Sequence, residues 1–282
     1  MNERAVTRAL MADAIDYAGL FPPAGLSMAR AVENYASYRA SVEAWMLGRF
    51  ILPVARLEEF IAAFTALPAH EGAPWLLSVI ANAGDAAALA AFNARYGSRT
   101  RIDTIEVPPI RASDLDGLAP LVAMYTVYAE VPWADDPAPL IAQLGARGIR
   151  AKLRTGGIVA DAIPPAAAVA RFVAACAGAQ VSFKATAGLH HAGRGDYALT
   201  YEPDSAHATM HGFLNVMGAA QAASAGVEPG ELIRMLEGAT PRIDVVGRAE
   251  AKVAAARLQG MQSFGSCSFD EPVAELRAQG LL

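Results

Sequence analysis

Lysine is scarce in this sequence, which has three lysines against twenty arginines. Because arginine supplies almost all of the surface cations, a lysine at the end of a strand is not needed for solubility. Two of the three, Lys152 and Lys184, end short alternating segments, and glycines follow them closely. A strand that ends in a lysine and opens into a glycine loop is typical of α/β active sites. We therefore expect both lysines to take part in chemistry.

Other absences exclude whole classes of protein. Cys176 and Cys267 lie far apart without CxxC or zinc spacing, which predicts a reduced, cytoplasmic setting. The net charge of −5 and the lack of a basic run argue against nucleic acid as a partner. The first residues are charged and lack the apolar core of a signal peptide. Arg171 and Gly178 interrupt the most apolar window, residues 166–181, so no membrane span is expected.

The order of apolar runs predicts the fold. No G-x-G-x-x-G follows the early strands, which disfavours a dinucleotide-binding unit. Seven runs of strand character alternate with helical segments, and an eighth, weaker one lies near residues 14–20. Eight such units close into a barrel, and no linker divides the chain. We predict a single (β/α)8, TIM-like barrel domain over residues 1–282, with an open doubly wound sheet as the alternative.

The clear strands are predicted at residues 50–54, 75–80, 102–107, 124–131, 149–154, 181–184 and 262–267. Helices are predicted at residues 3–20, 27–45, 57–67, 85–96, 114–122, 138–147, 165–177, 205–224, 229–237 and 248–259, with a last one from Ser268. Ser27 is predicted to cap the second of these helices.

Four successive strands carry polar side chains on one face and apolar side chains on the other. The polar faces end in Glu106, Glu130, Lys152 and Lys184. In a barrel these ends meet at one mouth, where catalytic residues lie. Neighbouring lysines disfavour each other's protonation, which would lower the pKa of one amine and make it a nucleophile for carbonyl groups. Glu130 and Glu106 would then move protons. The alternative is a cluster of ion pairs that only closes the barrel.

One segment resembles a known family. Lys184-Ala-Thr-Ala-Gly188 is similar to the Lys-Thr-x-Thr-Gly segment around the Schiff-base lysine of deoxyribose-phosphate aldolases, which are class I aldolases with a (β/α)8 fold. The resemblance covers about five of the 282 residues. It implies that Lys184 forms the iminium. In that family the second lysine follows the Schiff-base strand, whereas Lys152 precedes it here.

Histidines suggest a second chemistry, because four of the five lie within 22 residues. They are His190, His191, His207 and His211. On the predicted helix at 205–224, His207 and His211 share a face, and such a pair can bind a divalent metal with a glutamate completing the shell. His190 and His191 are the better placed for substrate binding or proton transfer.

Residues after the lysine strands are candidates for substrate binding. Backbone N–H groups and the guanidinium of Arg154-Thr155-Gly156-Gly157 can hold an anionic group. Thr186 follows Lys184 closely. The helix-poor segment 192–205 either brings Arg194 or Tyr197 over the mouth as a lid or forms an interface or surface loop. Asp16 could reach the mouth from the first βα loop, but helix capping is its expected role. The run Ser266-Cys267-Ser268 suggests a nucleophile, but we expect Ser268 and Glu271 to form a capping box and Cys267 to be a small buried residue.

The sequence therefore predicts an enzyme that acts on a small, anionic, carbonyl-bearing metabolite. The first hypothesis is Schiff-base lyase, aldolase-like or isomerase chemistry at Lys184, which needs no cofactor. The second is metal-dependent lyase, isomerase or hydrolase chemistry that uses the histidines with Glu106 or Glu130. The third is a non-catalytic barrel that binds a small molecule. The expected partner is a small-molecule substrate, without nucleic acid or membrane, and a homo-oligomer is left open.

Overall fold

Eight parallel strands close into a barrel in the computed structural model, which describes residues 3–68, 72–243 and 249–282. Each strand pairs with the next along the chain, and the last pairs with the first. The barrel strands are β1 (Ile15–Tyr17), β2 (Leu47–Pro53), β3 (Trp75–Ile80), β4 (Thr100–Val107), β5 (Thr126–Glu130), β6 (Arg150–Arg154), β7 (Phe183–Thr186) and β10 (Met261–Ser266). The predicted TIM-like barrel is confirmed.

Helices separate the strands and surround the barrel. They are α1 (Glu3–Met11), α2 (Met28–Arg39), α3 (Leu57–Ala66), α4 (Ala86–Tyr96), α5 (Ala119–Val122), α6 (Ala138–Ala146), α7 (Ala166–Ala179), α8 (Phe213–Ser224), α9 (Pro229–Glu237), α10 (Glu250–Gln259) and α11 (Asp270–Ala278). Ser27 caps α2 as predicted, its Oγ accepting from the backbone N–H of Arg30 at 3.3 Å. Residue 248, where the helix before β10 was expected to begin, lies outside the described residues.

One helical stretch, Ala160–Ala179, is long and apolar enough to cross a membrane by length and composition. Within it, α7 packs against α6, α8 and α9 in the outer ring. Its side chains Val169, Phe172 and Val173 are buried there, and the Phe172 ring meets Phe183 of β7 edge to face at 5.2 Å. The stretch therefore packs as a core helix of the barrel.

The short strand β1 places one acidic side chain inside the barrel. Successive side chains of a strand point to opposite faces. The Tyr17 ring packs among the aromatic side chains of α2 and β2, 6.2 Å from Tyr35 and 5.9 Å from Phe50 between ring centroids. Because Tyr17 takes the outer face, its neighbour Asp16 faces the lumen, where it is 1 % exposed. β1, the strand with the least clear sequence pattern, therefore contributes a buried carboxylate.

The segment after β7 departs from the prediction. A two-stranded antiparallel hairpin, β8 (Gly195–Ala198) and β9 (His207–Met210), stands where a loop and the first turns of a helix were expected. The helix at 205–224 begins only at Phe213, because residues 207–210 bond to β8 and Gly212 is extended. Pairing of residues 207–210 with the preceding strand β8 thus overrides the local helical spacing. His207 and His211 consequently do not share a helix face, and that prediction is wrong.

Two glycines let the loops after β6 and β7 touch backbone to backbone. A Cβ added to Gly156 would lie 2.9 Å from the Cα of Gly188. Gly188 itself has a φ of +74°, which glycine adopts without strain. The loop after β7 is thereby held against the Gly156-Gly157 turn after β6, and both loops border the mouth of the barrel.

Replacement of Gly156 by alanine should lower the free energy of unfolding by about 1–3 kcal/mol, because the new methyl group meets backbone that cannot move aside freely. Gly178→Ala is the matched control. Gly178 lies inside α7 with open space around its Cα, so alanine there should raise stability by about 0.5–1 kcal/mol. Urea unfolding measures whether each substitution raises or lowers the free energy of unfolding. Equal destabilisation of both variants would contradict the close contact between Gly156 and Gly188.

Candidate functional site

A buried ammonium group lies at the centre of the barrel mouth. Lys184 Nζ is 2.7 Å from Asp16 Oδ2 and 2.5 Å from Glu106 Oε1, and all three side chains are at most 1 % exposed. Asp16 also accepts from Ser263 Oγ at 2.8 Å and from the backbone N–H of Arg49 at 2.7 Å. A charge without water must be paired and hydrogen-bonded, and these contacts meet that requirement.

The second lysine continues the same network toward the mouth. The register places Glu130, Lys152 and Lys184 side by side on β5, β6 and β7. Lys152 Nζ lies 3.1 Å from Glu130 Oε2 and 3.4 Å from Glu106 Oε2. Arg154, half exposed, reaches Glu130 Oε1 at 3.4 Å. The four strand-end side chains predicted to converge are therefore in one ion network.

The charges in the network fix each other's protonation. Burial opposes ionisation of Glu106, but Lys184 and Lys152 outweigh it and lower the pKa of this carboxyl to about 2. Burial likewise opposes the charge on Lys184, and Asp16 with Glu106 outweighs it, so the pKa of Lys184 is raised. The sequence led us to expect one lysine to lower the pKa of the other. For Lys184 the opposite holds, because the Glu106 carboxylate lies between the two ammonium groups and Asp16 adds a second negative charge.

A cavity of about 340 Å³ opens above this network. Glu106, Lys152 and Arg154 line its polar side, and Ile51, Ile80 and Phe21 belong to its apolar side. Lys184 is fully buried next to Glu106, outside the residues that line the cavity. Lys152 is therefore the lysine that a bound molecule would meet.

Most of the predicted substrate-binding residues border this cavity. Its wall includes Arg154, Gly156, Gly157, Thr186 and His190. Thr155 is buried next to it, and its hydroxyl donates to the carbonyl oxygens of Ala187 at 2.6 Å and Thr186 at 3.2 Å. Arg194 lies instead at the foot of the hairpin, where its backbone N–H donates to Asn215 Oδ1 at 3.0 Å.

The four clustered histidines lie in different surroundings. His191 Nδ1 is 2.5 Å from Glu275 Oε1, and its ring stacks on Tyr197 at 3.4 Å. His207 is exposed and pairs with Asp196. His211 is buried, with Nε2 2.8 Å from the Pro164 carbonyl oxygen and a pKa lowered by burial. Within residues 3–68, 72–243 and 249–282, no group of three or more side chains is arranged to hold a metal.

His190 belongs to a second polar cluster at the rim of the cavity. Its Nδ1 lies 3.4 Å from Glu271 Oε2, 3.8 Å from Cys267 Sγ and 3.3 Å from Ser266 Oγ. Burial disfavours the charged imidazole, but the contacts with Cys267 and Glu271 outweigh burial and raise the pKa of His190 to about 9. This side chain therefore carries a positive charge at neutral pH.

Several members of the site were missed in the sequence. Asp16 was assigned to helix capping, because a three-residue strand offers no alternation to read. Ser78, whose Oγ donates to Glu106 Oε1 at 2.8 Å, lies within an apolar run that gave no sign of an inner face. Glu271 has half of the predicted capping box, since its backbone N–H donates to Ser268 Oγ at 3.2 Å. Its carboxylate turns to His190 instead.

Comparison of the chain with protein-family models and with curated proteins finds no match.

Glu106→Gln should lower stability near neutral pH by roughly 3 kcal/mol, because the lowered pKa of Glu106 reflects attraction to the lysines that the amide lacks. The pKa of about 2 in the folded protein lies below the ordinary glutamate value of 4.5. The contribution of the Glu106 carboxylate to the free energy of unfolding is therefore present above about pH 4.5 and is lost as the pH falls toward 2. Urea unfolding across this range should show the variant and the natural protein converging at low pH.

Glu58→Gln, at an exposed position of α3, is the control for loss of an acidic side chain. Its stability should follow the natural protein across the same pH range. A Glu106→Gln penalty that stays constant from pH 5 to about 2.5 would show that Glu106 does not depend on the lysines for its charge.

Proposed function

We propose that this barrel is an enzyme that acts on a small, anionic, carbonyl-bearing metabolite by Schiff-base lyase, aldolase-like or isomerase chemistry. The observation that carries the proposal is a lysine between two carboxylates at the polar side of a cavity. Lys152 Nζ lies within 3.4 Å of both Glu130 and Glu106 there. Carboxylates in contact with a lysine at the wall of a cavity can take and return the protons that iminium formation moves.

The geometry favours Lys152 as the attacking amine. Lys152 lines the cavity, whereas Lys184 lies outside the cavity wall and is held by short ion pairs with Asp16 and Glu106. A raised pKa also keeps Lys184 protonated, which suits a fixed cation better than a nucleophile. The sequence resemblance favours Lys184 instead, and that assignment stays a prediction. With Lys152 as nucleophile, Lys184 is the positioning residue that holds Glu106 ionised.

Proton transfer can be assigned to the two glutamates. Lys152 ammonium passes a proton to Glu130, and the free amine adds to the carbonyl carbon. The oxygen of the adduct takes one proton from the nitrogen and the proton held by Glu130, and it leaves as water. The products are an iminium and one water molecule, so the atoms balance. Glu106, which stays ionised, stabilises the positive charge of the iminium. Cleavage or isomerisation of a bond next to this carbon then uses the iminium as the electron acceptor.

An anionic group of the substrate would be held where the chain leaves β6. The Gly156-Gly157 turn comes one residue after β6 and lines the cavity. Arg154 is half exposed beside it, with the charged His190 farther along the wall. Cations and backbone N–H groups together favour a carboxylate or phosphate. We therefore propose that the substrate carries one of these groups.

Borohydride reduction tests the proposal directly, because it fixes an iminium as a stable amine. The protein is incubated with pyruvate, glyceraldehyde or dihydroxyacetone phosphate, reduced, and mapped by peptide mass spectrometry. We expect an adduct at Lys152, lost in Lys152→Met. Lys252→Met is the matched control, because Lys252 is the third lysine and lies exposed on α10.

The outcomes separate the hypotheses. An adduct at Lys184 would keep the Schiff-base chemistry but exchange the roles of the two lysines. Turnover of a carbonyl compound without an adduct at either lysine would contradict the chemistry itself. Binding of these compounds without turnover or adduct would favour the non-catalytic barrel. The metal-dependent hypothesis stays a prediction that metal analysis of untagged protein would test, and the separate surroundings of the four histidines do not favour it.

A further inference from the structure

The Schiff-base proposal uses only the charge of His190 from the rim cluster, which consists of Cys267, His190, Glu271 and Tyr201. Cys267 follows β10 directly, is 4 % exposed and lines the same cavity as Lys152. Its Sγ lies 3.8 Å from His190 Nδ1 and 3.5 Å from the Tyr201 hydroxyl. His190 and Tyr201 can each donate a weak hydrogen bond to this sulfur, and donors beside a sulfur favour the thiolate.

From this geometry we propose that Cys267 and His190 form a thiolate–imidazolium pair, a second nucleophilic site that takes the conjugated carbon of an α,β-unsaturated carbonyl compound. A thiolate is a soft nucleophile and adds readily to such carbons, whereas a lysine amine suits the carbonyl carbon. The cations Lys152 and Arg154 on the same wall can face the carbonyl oxygen of the compound. The proposal does not require that an iminium forms.

The addition balances within the site. The Cys267 sulfur forms a bond to the β carbon, and the π electrons of the C=C bond move to the carbonyl to give an enolate. The α carbon then takes the proton of the His190 imidazolium, which leaves a thioether and a neutral imidazole. Every atom of the reagent stays on the protein. The mass of the protein should therefore rise by the full mass of the reagent.

The surrounding groups support the charges of this pair. Glu271 of α11 and the Tyr201 hydroxyl face it from one side. Burial and the charge of Cys267 raise the pKa of Tyr17, so this neighbour stays neutral. Burial raises the pKa of Glu271, but His190, Tyr201 and His191 outweigh burial, so this pKa is lowered. Burial raises the pKa of the Cys267 thiol, but His190 and Tyr201 outweigh burial, so this pKa is lowered. Cys176, by contrast, is buried in α7, and burial raises the pKa of its thiol.

Reaction with methyl vinyl ketone tests the pair. At about pH 6.5, below the ordinary thiol pKa of about 8.5, intact-mass spectrometry should show one addition, mapped to Cys267 and absent in Cys267→Ser. Cys176 should stay unmodified, and butan-2-one, which has no C=C bond, should add nothing. His190→Gln should slow the reaction at this pH by at least about tenfold, whereas His207→Gln, at an exposed histidine of the hairpin, should react like the natural protein.

The ultraviolet absorbance of a thiolate gives a second readout that needs no histidine variant. The natural protein should show this band at neutral pH, and Cys267→Ser should lose it. Absence of the band, addition to Cys176 at the same rate, or an unchanged rate in His190→Gln would overturn the pair. Borohydride adducts at Lys152 are measured separately. The proposal for Cys267 can therefore be overturned without affecting the proposal for Lys152, and the reverse.

Discussion

Charge neutrality inside the barrel is the constraint on which the mouth depends. Asp16, Glu106 and Glu130 bring three formal negative charges to the upper lumen, and Lys152, Lys184 and Arg154 bring three positive ones. An unpaired charge in such a place costs several kcal/mol, and removal of one partner leaves the other uncompensated. Each side chain is therefore held by its neighbours. Closing β1 against β10 brings Asp16 into the set, so fold and charge balance are coupled.

The same balance separates the tasks of the two lysines. Lys184 is surrounded by carboxylates and lies outside the residues that line the cavity, so it acts as a fixed positive charge. Lys152 meets the cavity and two glutamates, which suits a group that must lose and regain protons. The rim cluster around His190 adds a charged imidazole on another part of the wall. One cavity thus combines a buried amine, a thiol and several cations, the groups on which the two proposals of carbonyl chemistry rest.

Sequence reading worked where strands were long enough to alternate. On β4 to β7 the polar and apolar faces could be separated, and Glu106, Glu130, Lys152 and Lys184 do meet. It did not work for Asp16, on a three-residue strand, nor for the hairpin, whose pairing joins residues 195–198 to 207–210. It also missed the direction of the Lys184 pKa shift, because two cations were counted without the carboxylate between them. Alternation reveals which face a side chain takes, whereas contacts depend on register and loops.

Selective ¹³C labelling of lysine gives the most direct test of the charge balance, because the chain has only three lysines. The ¹³Cε resonances, assigned with the Lys→Met variants, report the protonation of each side chain as the pH rises. The resonance of Lys184 should keep its protonated position above pH 10.5, the ordinary pKa of a lysine, since Asp16 and Glu106 hold the ammonium. A Lys184 resonance that titrates below this value, near neutral pH, would show a free amine and would contradict the network described here.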